Sequence, residues 1–160
     1  MTFRLPRTGR TVLVALAAAL LTAAPLAAAD IDLELGRFAR NVGLQDMAGF
    51  VETVGALRAD GHLPSRYVSK RRAERLGWRP GLDLCRLSPG DAIGGDPFKD
   101  HAHALPSAAG RRWREADLDE RCARDRGRFR LIWSNDGLIY MTPDHYRSFI
   151  PVPGGSIVPP

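Results

Sequence analysis

Apolar residues at Met47, Phe50, Val51, Val54 and Leu57 recur at three- and four-residue spacing, the period of one helix face. This predicts an amphipathic helix over 46–59, stopped by Gly61. A short basic helix is predicted over 70–76, with Ser69 as N-cap and Gly77 as the residue just past its end. The stretch "LSPGDAIGGDPF" is dense in Gly, Pro and Asp and reads as loops. After it the pattern changes to strands. "RRWREADL" alternates in character, "FRLIWS" and "LIYMT" are rich in β-formers, and Asn135, Asp136 and Gly137 between the last two make a hairpin turn. Helices first and an antiparallel meander afterwards predict an α+β domain, N-terminal helices packed on a C-terminal β-sheet. No internal repeat is visible, and the tail "PVPGGSIVPP" reads as loose.

The first 29 residues differ from the rest. Arg4, Arg7 and Arg10 precede an apolar run that ends in Ala27, Ala28 and Ala29, the layout of a secretory signal peptide. The run is short for a membrane anchor. The expected organisation is a signal peptide over 1–29, an N-terminal extension over 30–45, one folded domain over 46–150 and a flexible tail over 151–160. The whole chain of 160 residues carries a formal charge of +5; without the three arginines of the leader it has 20 basic against 18 acidic residues, +2. Net charge therefore says little about nucleic acid, and local clusters matter more: "SKRRAER", "GRRWRE" and "RCARDRGRFR". Each, taken alone, is as well explained by a solvated surface. His101 and His103 form an HxH, a weak signal, and the absence of CxxC and HxxxH argues against a metal site.

Four blocks carry a resemblance. "LPSRYVSKRRAERLGW", "SPGDAIGGDPF", "GRRWREADL" and "RLIWSNDGLIYMTPDHYRSF" are similar, in order and nearly in spacing, to the barnase-like secreted microbial ribonucleases, from about Met47 to Phe149. The resemblance implies the microbial ribonuclease fold and an endoribonuclease of single-stranded RNA that needs no cofactor and no metal. RNA carries its own nucleophile, the 2′-hydroxyl, so cleavage requires a base, an acid and cations around the phosphate. The family's base falls on Glu115 of "WREAD" and its acid on His145 of "DHY". Its phosphate-binding cations fall on Lys70, Arg130 and Arg126, with Arg124 or Arg128 as alternatives for the last because "RCARDRGRF" holds one extra residue. Tyr146 would flank the scissile site, by stacking or hydrogen bonding.

Base choice is less well prescribed. Guanyl-preferring relatives read the base with the loop after "GGD-x-F", here Phe98 to Pro106, using backbone amides and a glutamate. Ala102 stands at that glutamate's place. Phe98, Lys99, Asp100 and His101 are the candidate substrate-binding residues, and a preference for guanine is inherited only as an expectation. The family also implies an acidic, barstar-like inhibitor as partner, and a toxin role is the alternative use of the same chemistry. A catalytically idle RNA-binding module is a further alternative, which the retained acid, base and cations argue against. The product is expected to be a secreted monomer, extracellular or periplasmic, with no membrane association after leader cleavage. Cys85 and Cys122 allow one intramolecular pairing in an oxidising compartment. The family's fold brings their two loops near each other, which implies a disulfide.

Overall fold

A computed structural model describes residues 29–82, 84–119 and 126–155. Of residues 1–29, read as signal peptide, 1–28 lie outside the described residues, as do Cys122, Arg124 and the last five residues. By contacts the chain divides into Met1–Leu33 and Glu34–Pro160, and the second unit holds the domain. No described helix is long and apolar enough to cross a membrane.

Helix α1 covers residues 29–41 and α2 Met47–Asp60. The Asp46 side chain caps α2 by accepting from the Gly49 amide, and Gly61 closes it in the left-handed conformation at φ 75°. The basic helix α3, Lys70–Arg75, opens on Ser69 as read from the sequence, the Ser69 hydroxyl accepting from the Arg72 amide. Six strands follow in sequence order across one sheet: β1 Tyr67–Val68, β2 Ala92–Phe98, β3 Trp113–Asp117, β4 Arg130–Ser134, β5 Ile139–Thr142 and β6 Ile150–Pro151. β1 pairs parallel with β2 and every other pair is antiparallel. The α+β expectation stands, with three departures in detail.

The first is β2, which occupies the stretch read as loops. Gly94 and Gly95 suggested a turn, but they make a bulge: the register with β3 shifts between Gly94 and Asp96, and Gly95 sits at φ 89°. Pro97 is tolerated because β1 pairs only with Ala92 and Ile93, which leaves the far end of β2 with one neighbour. The second is residues 30–45, read as an extension. Leu35, Ala39 and Leu44 are buried in the same core as Phe50, Val54 and Leu57. The third is the tail. Ile150–Pro151 pair with β5, Val152 is buried, and the Arg58 guanidinium donates to the Pro153 and Gly155 carbonyls.

Strand alternation divides the sheet into two faces. Ala116, Leu131, Trp133, Ile139 and Met141 point to the helices and close the main core. Their neighbours Glu115, Asp117, Arg130, Ile132, Tyr140 and Thr142 belong to the opposite face, where Glu115 pairs with Ile132, Asp117 with Arg130 and Arg130 with Thr142. A buried charged row on an otherwise apolar sheet is costly unless its members satisfy each other, and this is where the candidate site lies.

Candidate active site

Glu115 is only 6% exposed, and its two carboxylate oxygens have separate partners. Lys70 Nζ donates to Oε1 at 2.5 Å and the Tyr146 hydroxyl to Oε2 at 2.7 Å. Burial pushes the Glu115 pKa up, but the Lys70 ammonium, the Tyr146 hydroxyl and the nearby Arg126 charge outweigh it, so the carboxyl lies below its ordinary value. Tyr146 responds in the opposite sense: burial and the facing carboxylate push its phenol up. The Lys70 position is set from behind, because the Asp96 carboxylate accepts from the Lys70 amide at 2.8 Å and ties the start of α3 to the bulged end of β2.

Two residues along β3, on the same face, Asp117 is completely buried. It accepts from Arg126 Nε at 2.6 Å and from Arg126 Nη2, a two-pronged grip that fixes the plane of the guanidinium. Arg130 Nε lies 3.0 Å from the same carboxylate, off the axis of a hydrogen bond, and Arg130 Nη1 donates to the carbonyls of Arg126, Gly127 and Phe129. Burial lowers the Arg126 pKa, but the bonds and charge of Asp117 prevail and raise it. The Arg126 guanidinium also lies 5.7 Å over the Trp78 ring.

His145 stands beside this pair of arginines. It lies in the turn after β5, with His145 at φ 59° and Tyr146 at φ 70°. Its amide donates to the Arg128 carbonyl at 3.1 Å and its ring centroid is 4.9 Å from that of Tyr146. Gly81, Arg126, Gly127, Arg128, Arg130 and His145 line an open cavity of about 670 Å³. A carboxylate, an exposed imidazole and two oriented guanidinium groups can together serve acid–base chemistry on a phosphate.

A ribonuclease family model matches residues 52–153. The chain belongs to the ribonuclease family. It is 46% identical over 88 residues, 54% of its length, to ribonucleases of Heyndrickxia coagulans, Bacillus intermedius and Bacillus pumilus. The match covers 80% of the first relative and only about half, 54%, of the length of each of the others.

Lys70, Glu115, Arg126, Arg130, His145 and Tyr146 of this ribonuclease thus converge on one side of the sheet. Phe98 joins them by stacking on Tyr146, 5.3 Å between centroids and 20° between planes, with Phe149 at its edge. Lys99 and His101 are exposed in the loop beyond β2, while the Asp100 carboxylate faces inward, accepting from the Ala104 and Leu105 amides at 3.1 and 2.8 Å. Arg128 lines the cavity but is exposed, and Arg124 lies outside the described residues. Cys85 is buried in the segment after α3. Sequence reasoning missed Asp96 and Asp117. The signal for Asp117 was present: an acid two positions beyond Glu115 on a strand must share its face.

Proposed function

We propose that this chain is a secreted endoribonuclease that cleaves single-stranded RNA through a 2′,3′-cyclic phosphate. The observation that carries the reading is the division of labour between a buried, ionised Glu115 and an exposed His145, both in contact with Tyr146, beside two arginines fixed by Asp117. In the first step the Glu115 carboxylate takes the 2′-hydroxyl proton, the 2′-oxygen attacks phosphorus, and the bond to the 5′-oxygen breaks as protonated His145 gives that oxygen its proton. In the second step neutral His145 takes a proton from water, the water oxygen attacks the cyclic phosphate, and the Glu115 carboxylic acid returns its proton to the departing 2′-oxygen. A 3′-phosphate results. Arg126 and Arg130 hold the phosphoryl oxygens as charge develops on them, at positions that need no rearrangement. As Lys70 turns from Glu115 to the phosphate, the carboxylate loses part of what depresses its pKa and becomes a stronger base.

Base preference has less support. With Ala102 at the family's glutamate position and the Asp100 carboxylate occupied by its own loop's amides, guanine would be read by backbone groups between Phe98 and Leu105. Cleavage rates across the four NpN dinucleotides test this, and equal rates would remove guanine from the proposal. Export is tested by N-terminal sequencing of the product from culture medium, with Asp30 expected first.

Glu115→Gln and His145→Ala should each lower kcat by roughly 100- to 10,000-fold, the usual contribution of a positioned acid or base, with no effect of EDTA. Near-normal rates in both variants would sink the mechanism. Because Glu115 lies below its ordinary pKa, it remains ionised further into acid than a free glutamate, and the acid limb of kcat/KM is expected below 4.5. In Lys70→Ala the first of the influences that lower that pKa is gone, so the limb should move to higher pH as the rate falls. An unmoved limb would show that it does not report Glu115.

A further inference from the structure

Four guanidinium groups near the candidate site take no part in it. Arg71, Arg72 and Arg75 lie on α3 and Arg79 on the turn beyond it, all four exposed. None of them forms an ion pair among the described residues, in contrast with Arg66, Arg111, Arg126 and Arg130. Residues 71–79 include four arginines and one acid, Glu74, a net charge of +3. Such a run is a solvated surface unless its position gives it a polyanion to meet.

Its position does so. α3 is anchored to the site at both ends: Lys70 opens the helix with its ammonium on Glu115, and the chain that follows puts Trp78 under the Arg126 guanidinium and Gly81 in the wall of the cavity beside His145. A helix of this size is about 9 Å long, so arginines along it stand within a few side-chain lengths of the reacting phosphate. Arg79 is two residues from Gly81. Arg71 and Arg75 share a helix face by their spacing.

We propose that α3 and the turn after it form an extended RNA-binding rim, on which Arg71, Arg72, Arg75 and Arg79 take phosphates of nucleotides beyond the scissile one. The proposal rests on the ribonucleolytic reading above. These arginines would touch the RNA backbone alone, fixing the path of the strand without selecting sequence. A dinucleotide is too short to reach the rim, whereas a polymer spans it.

The test compares wild type with the quadruple variant Arg71→Gln, Arg72→Gln, Arg75→Gln, Arg79→Gln in two measurements. In the first, binding of a single-stranded 2′-O-methyl RNA, which lacks the free nucleophile, is titrated over a range of salt. The slope of log affinity against log salt should become shallower by roughly 2 to 3, at about 0.7 for each phosphate that the variant no longer neutralises. In the second, dinucleotide cleavage should stay at the wild-type rate. Equal salt slopes in wild type and variant would overturn the rim, and so would a matching loss on the dinucleotide. Failure of wild type to cut any dinucleotide would sink the ribonucleolytic reading instead, and the binding slopes would still decide the rim. Should the quadruple variant melt early, Arg71→Gln with Arg75→Gln serves in its place, with half the change in slope.

Discussion

His145 and Tyr146 both hold positive φ, 59° and 70°, a conformation that costs a residue with a side chain about 1–2 kcal/mol. Two in succession persist only if the surroundings fix them. Asp144 and Thr142 supply that constraint. Asp144 accepts from the Arg147 and Ser148 amides at 3.0 and 2.9 Å and from the Ser148 hydroxyl at 2.6 Å. Thr142 Oγ1 accepts from the Tyr146 amide at 2.8 Å and meets Asp144 at 3.0 Å. The Ser148 hydroxyl and amide, with the other donors, hold Asp144 down to about 2, so the brace is ionised throughout the working range and is no pH switch. Asp144→Ala should free the turn and misplace the imidazole. A lowering of kcat by roughly 10- to 100-fold is expected, in line with displacement of a reacting group by about 1 Å, with KM and the pH limbs little changed. Asp144→Asn keeps an acceptor oxygen in place and should recover most of the rate. If Asn is as poor as Ala, or Ala as good as wild type, Asp144 does not position His145.

At the scale of elements, a bulge does what no single side chain could. Gly94 leads into it, and a Cβ there would meet Tyr67 Cδ1 at 2.7 Å, Ala116 Cβ at 2.9 Å and Leu63 Cδ1 at 3.0 Å. The ring and the leucine can swing aside, but Ala116 Cβ moves only with the backbone of β3, the strand that carries Glu115 and Asp117. Gly94→Ala is therefore expected to destabilise by about 1–3 kcal/mol, the range for an overpacked interior, and denaturant unfolding would measure it. A midpoint equal to wild type would mean that the strands part more readily than their packing implies. The same bulge explains why β2 was illegible: Gly94, Gly95 and Pro97 are turn formers by local chemistry, and only pairing with β3 makes them a strand. α2 and α3 were legible because spacing and caps are local, β3 because its sequence alternates in character, and β4 and β5 because their β-formers flank the hairpin at Asn135–Gly137. Glu115 and His145 were legible through motif. Asp96 and Asp117 stand inside the quoted motifs, but their partners, the Lys70 amide and the Arg126 guanidinium, lie on other segments that only the fold brings to them.

For the molecule as a whole, the core is larger than the matched family region, since Leu35 and Ala39 of α1, with Leu44 and Phe50, reach it from before residue 52, while Val152 closes it at the region's other end. The spacing of Leu35, Phe38, Ala39 and Val42 is that of a helix face, so this contribution was present in the sequence. Arg58 fastens the far end by donating to the Pro153 and Gly155 carbonyls. A remaining long-range tie is the pairing of Cys85 with Cys122, a proposal that joins the segment after α3 to the segment after β3. Closing about 38 residues would remove chain entropy from the unfolded state worth about 4 kcal/mol, and an exported protein meets the oxidising conditions that form the bond. The bridge would enclose β2 and β3 entirely, so it would hold the bulge and Glu115's strand together without touching the reacting groups. Intact mass after alkylation without reductant should show no modified cysteine in the monomer. The double variant Cys85→Ala, Cys122→Ala should melt roughly 10–20 °C lower and cut RNA at the wild-type rate while folded. Two alkylated cysteines in the exported monomer would refute the pairing, and lost activity in the folded double variant would refute its purely structural role.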